Sequence, residues 1–270
     1  MHSFGIMKVI AVFNVKGGVG KSTLAANLAW ASAHDSARRT LLWDLDPQGG
    51  GGFLLGVDRS ADADAVSVFA RDVAPEERIA HTGFDRLDVL PADKSLHRLD
   101  HFLAGLGKKR RLARLTQSLE QCYDRIVLDC PPALNALSGQ IVRAADAIVV
   151  PLTASPLARR GLQDVLDELR RNHPGHAPVL PVFAMYDARL KLHYEARATE
   201  PDWPIVPMAS VVERMGVFRQ PVAVYAPASP AAAAFQALWA GIERKLVGRG
   251  ARRATTNRQA ANHARSPAGR

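Results

Sequence analysis

Apolar positions in this 270-residue chain fall into two alternating patterns. Compact apolar runs occupy residues 9–13, 39–46, 124–129, 147–152 and 179–185, with shorter ones at 87–92 and 205–207. Between them, apolar residues recur every three or four positions, as a helix requires. Such stripes cover 23–30, Leu96 to Leu106, Leu112 to Leu119, 134–144, 155–169 and 229–246. In the 155–169 stripe, Leu157, Gly161, Leu162, Val165, Leu166 and Leu169 are expected to face inward. In the last, Phe235, Leu238, Trp239, Ile242 and Leu246 form the buried side, and Ser229-Pro230 supplies an N-cap and a first-turn proline. Runs that are apolar at nearly every position predict strands covered on both faces. Their alternation with helices predicts an α/β fold, a mainly parallel twisted sheet with helices on both faces. Residues 56–86 are polar and weakly patterned, which predicts a surface region with one short helix at 65–70.

The ends of three runs carry candidate chemistry. The first is followed by Lys16-Gly17-Gly18-Val19-Gly20-Lys21-Ser22 and then by a helical stripe. Strand, glycine-rich loop, Lys-Ser and helix together form a phosphate cradle. Glycines let backbone N–H groups approach phosphate oxygens, and the helix start adds partial positive charge there. Lys21 would neutralise terminal phosphates, and the Ser22 hydroxyl would bind an accompanying Mg²⁺. The generic pattern asks for glycine at position 15; Val15 stands there, and a second lysine, Lys16, follows it. The second run ends in Asp44 and Asp46, followed by Pro47-Gln48 and four glycines, a sequence expected to stop regular structure. The third ends in Asp129-Cys130-Pro131-Pro132. Carboxylates at the carboxyl ends of parallel strands lie where open α/β sheets bind ligands.

These segments resemble three motifs of the ParA/MinD family of partitioning and positioning ATPases, P-loop NTPases of the deviant Walker A type. The motifs are the loop Lys-Gly-Gly-x-Gly-Lys-Ser/Thr, the switch I segment Asp-x-Asp-Pro-Gln-Gly and the Walker B segment Asp-x-Pro-Pro. The resemblance covers most of residues 8–247. It implies ATP and Mg²⁺ as cofactors and a phosphate site of Lys16, Gly17, Gly18, Val19, Gly20, Lys21, Ser22 and Thr23. Asp46 would orient the attacking water, with Ser22, Asp129 and Asp46 around the metal. Met185 and Pro207 would lie near the adenine. Lys16 would cross to the partner's nucleotide in an ATP-dependent homodimer. The family also implies slow hydrolysis stimulated by a ParB-like or cargo-adaptor protein, non-specific DNA binding, and a bacterial, cytoplasmic, nucleoid-associated location. Where chromosomal ParA proteins carry Pro-Arg-Asn-x-Arg, this chain has Pro207-Met208-Ala209-Ser210, leaving Arg214 and Arg219 as the nearby cations.

Charge narrows the partners. The net charge is +9 and the pI about 10.0, which favours polyanions. Residues 248–270 hold six arginines and no acid. That composition predicts a basic disordered tail behind an ATPase domain spanning 1–247. A second basic cluster is Lys108-Lys109-Arg110-Arg111 with Arg114. Cys122 and Cys130 make no disulfide framework and fit a reducing compartment. No apolar run is long enough to span a bilayer, and the first residues do not read as a signal peptide. A MinD-like membrane switch is the weaker alternative, because the tail lacks bulky apolar residues. A nucleotide-bound scaffold and an ATP-dependent ligase of the dethiobiotin synthetase type are further alternatives.

Overall fold

The computed structural model describes residues 6–58, 64–107 and 109–264, with side chains described through Gly248. In chain order the elements are β1 (Lys8–Val12), α1 (Lys21–Asp35), β2 (Thr40–Asp44), α2 (Gly50–Phe53), α3 (Ala65–Ala70), β3 (Ala80–His81), β4 (Leu87–Leu90), α4 (Leu99–Leu106) and α5 (Arg111–Ser118). There follow β5 (Arg125–Asp129), α6 (Ala136–Ala144), β6 (Ala147–Leu152), α7 (Pro156–Asn172), β7 (Val179–Tyr186), α8 (Lys191–Thr199), β8 (Ile205–Pro207), α9 (Ser210–Glu213), α10 (Met215–Phe218), α11 (Val222–Tyr225) and α12 (Pro230–Ala264).

The strands form one sheet in the order β3-β4-β2-β5-β1-β6-β7-β8. All pairings are parallel except the β3–β4 edge. Strand β1 shows why both faces are covered. Val9 and Ala11 pack into the core under α3–α7, whereas Ile10 and Val12 pack into the core under α1 and α12. Side chains on a strand alternate between faces, so a run apolar at every position demands a layer on each side. The chain leaves β1 for β2 in one direction and enters β6 from β5 in the other, which opens a crevice at the carboxyl end of β1.

Helix α7 corrects one expectation. Its inward stripe is Ala158, Leu162, Val165 and Leu169, while Leu157 is exposed. Leu157 sits one position, or about 100°, away from that stripe. Two further findings differ from the sequence reading. Residues 50–53 form a helical turn instead of an irregular glycine loop. Helices α8 to α11 were not anticipated, and α8 buries none of its residues. The closing helix α12 extends to Ala264. Residues 265–270 lie outside the described residues.

Candidate functional site

The crevice collects the three motif segments. Register aligns Val12 of β1 with Asp129 of β5, and Asp129 with Asp44 of β2. The phosphate loop thus leaves its strand beside two carboxylates. Asn14 anchors the loop's base: its amide donates to the Pro151 carbonyl at 2.7 Å, and its Oδ1 accepts from the Lys16 N–H at 3.0 Å. Sequence reasoning passed over Asn14; its signal was a polar residue directly after an apolar run. At the far end Gly20 caps α1 with φ 80°, a left-handed conformation that a Cβ would strain.

The two lysines are placed differently. Lys21 is buried, and its Nζ donates to the Lys16 carbonyl at 3.1 Å, within the loop itself. Burial pushes its ammonium below the ordinary lysine value, while Asp129 and Asp46 pull it back up. Lys16, Gly17 and Gly18 are exposed, Val19 is buried, and Ser22 and Thr23 are half-buried.

The carboxylates form a strained electrostatic set. Burial pushes the Asp44 carboxyl up to about 7, against the stabilising N–H groups of Gly52, Asp46 and Gly51. Asp44 therefore shapes the turn: its oxygens accept from Gly52 N at 3.0 Å and Asp46 N at 3.1 Å. Asp129 is fully buried, and neither of its oxygens has a hydrogen-bond partner of good geometry, although the Ser22 hydroxyl is close enough to favour its charged form. Burial, then the neighbouring Asp44, raise its carboxyl well above the usual range. Asp46 is half-buried and turns its Oδ1 onto the Gln48 N–H at 2.9 Å. The glycine run gives α2 its close approach. A Cβ on Gly51 would stand 3.0 Å from Asp129 Oδ2, and one on Gly50 would stand 2.9 Å from Ser22 Oγ.

Among the described residues, no group of three or more His, Cys, Asp or Glu is arranged to hold a metal alone. The set fits a hard cation that brings further oxygens with it. Mg²⁺ takes one or two carboxylates and completes its shell from phosphate and water, and a buried, unpartnered Asp129 beside Ser22 offers that kind of ligand. Cys130 is fully buried with its thiol pushed up by burial, so it is a packing residue.

Beside the loop lies a mainly apolar pocket lined by Gly20, Thr23, Met185, Pro207, Val212 and Phe235, among others. Met185 reaches it through a left-handed backbone, φ 53°, where the β7–β8 register shifts. Both residues singled out for the nucleotide base thus line one cavity with the phosphate loop.

A family model described as an AAA domain, AAA_31, matches residues 7–176. The sporulation initiation inhibitor protein Soj of Bacillus subtilis is 34% identical over 165 residues, which cover 60% of this chain and 65% of that protein. The chromosome-partitioning ATPase Soj of Thermus thermophilus is 33% identical over 240 residues, 85% of this chain and 92% of that protein. The chain belongs to the ParA/MinD family of P-loop ATPases. Among solved structures, a cobyrinic acid a,c-diamide synthase from Mycobacterium smegmatis with bound ATP analog and magnesium aligns with TM-score 0.71 and 27% identity, covering 88% of this chain and 95% of that one.

Within this ParA/MinD framework, the basic clusters need revision. Arg111 is buried; its guanidinium donates to the Phe69 carbonyl and its backbone N–H to Gln140 at 2.7 Å. Lys109, Arg110 and Arg114 are exposed, and Lys108 lies outside the described residues. Arg219 is likewise engaged, in an ion pair with Asp58 at 2.7 Å. No helix among the described residues is long and apolar enough to cross a membrane.

Proposed function

We propose that this chain is an ATP-operated positioning switch whose domain, residues 1–247, dimerises on ATP, binds DNA non-specifically and lets go after hydrolysis. The supporting observation is the division of labour between the lysines: Lys21 is folded into its own loop, whereas Lys16 stands exposed beside it. An exposed ammonium at the mouth of a phosphate site is free to serve a second copy's phosphates. Closing two such copies would bury Lys16, and that is costly unless an anion meets it. Dimerisation is thereby tied to the nucleotide.

In this reading residues 16–23 cradle the phosphates of ATP, and Lys21 leaves the Lys16 carbonyl for them. The base enters the pocket of Met185 and Pro207. Ser22, Asp129 and Asp46 would hold Mg²⁺, which would supply positive charge against the phosphate oxygens. Asp46 aligns a water for attack on the γ-phosphorus. The new P–O bond forms as the bond to the ADP oxygen breaks, and ADP and phosphate leave. A ParB-like or cargo-adaptor protein accelerates this slow step. The relative from T. thermophilus is named a chromosome-partitioning ATPase, which supports such a role.

The decisive experiment is Lys16→Ala in the full chain, followed by light scattering with a non-hydrolysable ATP analogue and Mg²⁺. The expected outcome is a dimeric wild type and a monomeric variant that still binds nucleotide. A variant that dimerises like wild type overturns the reading. A second substitution, Asp46→Ala, is expected to slow single-turnover phosphate release by about 10²-fold or more, the scale of a lost water-orienting carboxylate. It should leave the ATP-bound dimer long-lived, as gel filtration after ATP addition will show. For DNA, a chain ending at Val247 compared with the full chain reports what the arginines of 248–270 add.

A further inference from the structure

The segment between β8 and α12 holds two guanidinium groups in an unusual way. Arg214 lies over the Phe218 ring at 4.7 Å, and Phe218 packs in turn on Tyr225 at 4.6 Å between ring centroids. Arg219 lies over the Phe53 ring at 4.6 Å. A guanidinium laid on an aromatic face keeps its N–H edge available and loses little freedom when it meets an anion. Arg219 uses that edge on the turn that follows the glycine run. Its Nε donates to the Phe53 carbonyl at 3.1 Å, and its two Nη atoms donate to Asp58 at 2.7 and 3.2 Å. The Asp58 side chain is 72% exposed and that of Arg219 30%. Phe53 is the last residue of α2, whose Gly50 abuts Ser22 and whose Gly51 abuts Asp129 and Asp44. A short, stiff path therefore joins Arg219 to the carboxylates of the nucleotide site.

We infer that Arg219 is a phosphate-operated latch: in the free protein it clasps Asp58 and Phe53 and fixes the 50–58 turn, and a nucleic-acid backbone takes it away. The inference rests on the DNA-binding reading given above and specifies which contact transmits it. The pair is bidentate, but the Asp58 side chain is 72% exposed, so solvent and salt screen it. A phosphate offers the same guanidinium a bidentate anion and gains further from released counterions, so it competes well with a single exposed carboxylate. Arg214, stacked a few residues away, supplies a second contact on the same segment. Losing the clasp removes one tether from the turn that carries Gly50 and Gly51, just after Asp46, and leaves the Asp44 bonds to Gly52 and Asp46 to hold it.

The test uses the full chain, a random 60-base-pair duplex as probe, and ATP with Mg²⁺. Asp58→Asn removes the competing charge at constant size. It is expected to bind the duplex ~2–5-fold more tightly, the scale of one exposed ion pair released from competition. The dependence of log K on log salt should keep the wild-type slope. Its ATPase rate without DNA should already match the raised rate that wild type reaches with DNA. Arg219→Ala should bind more weakly, with the salt slope reduced by about 0.9, one phosphate contact. Nucleotide affinity, measured with a fluorescent ATP analogue, should stay at the wild-type value in both. If wild type binds the duplex but both variants match it in affinity, slope and DNA response, the latch is wrong and the DNA reading stands. If wild type shows no ATP-dependent binding to the duplex, the DNA reading itself fails and takes the latch with it.

Discussion

Replacing Lys21 by alanine is expected to weaken binding of a non-hydrolysable ATP analogue with Mg²⁺ by about 100-fold or more, or roughly 3 kcal/mol. The size follows from where the ammonium sits. Lys21 is 6% exposed, so its charge is poorly screened, and it is the buried cation that Asp129 and Asp46 both feel. Removing it takes one positive charge from a site that must accept a polyanion. It also leaves Asp129, already without a hydrogen-bond partner of good geometry, with less opposing charge. Two unfavourable changes thus act on the same ligand. The nucleotide-free protein should keep its fold, because the Lys21 side chain bonds only to the Lys16 carbonyl of its own loop among the hydrogen bonds described. Calorimetric titration measures the loss, and a thermal melt without nucleotide provides the control. Binding within a few-fold of wild type would show that the loop backbone, and not this lysine, supplies the affinity.

The same residues show what the sequence made legible and what it did not. Strands were readable where every position is apolar, because only burial on both faces explains such a run. Their ends were readable where Gly, Asp or Pro breaks the run, and those breaks are the site. Edge elements left weaker marks. Strand β3 is only Ala80–His81 and is held by pairing with β4, so no local pattern announces it. Helix α8 buries none of its residues and so shows no apolar stripe. Charged residues misled in the opposite direction. Arg111 stands in a row of basic residues, yet it turns inward to the Phe69 carbonyl, a partner 42 positions away. The glycines of 49–52 look permissive in sequence. In the fold, Gly50 and Gly51 are tightly confined, since the turn passes within 3.0 Å of carboxylate and hydroxyl oxygens at the positions a Cβ would take. Long-range partners of this kind come from topology, which a single sequence does not display.

Glu243→Ala is expected to cost about 3–5 kcal/mol of folding stability, the usual penalty for leaving a buried charge without its partner. Glu243 lies on α12, at the end of the sheet opposite the nucleotide site. Its Oε1 accepts from Arg125 Nη2 at 2.5 Å and from Arg38 Nη2 at 3.2 Å, and its Oε2 accepts from Arg125 Nε at 3.0 Å. The Arg125 side chain is only 4% exposed, at the first residue of β5. Truncating Glu243 therefore strands a guanidinium that solvent scarcely reaches. Arg125 would retain only its bond to the Asp124 carbonyl, at 2.7 Å, among the bonds described for its side chain. Glu243→Gln should cost less, because the amide oxygen still accepts one N–H while the charge is lost. The loss is large beside the roughly 5–15 kcal/mol that holds a domain together. It should also be selective. Helix α12 is fixed to α1 by Trp239, whose Nε1 donates to Ser36 Oγ at 2.8 Å, and by the apolar stripe through Phe235, Leu238 and Ile242. Of these, Phe235 lines the base pocket itself, and none of them depends on the Glu243 carboxylate. Urea unfolding should thus show a lowered midpoint at unchanged slope, with nucleotide affinity of the folded fraction preserved. An unfolding free energy within about 0.5 kcal/mol of wild type, the range of ordinary surface changes, would mean that Arg125 finds another partner and that the pair does not hold α12 to the sheet.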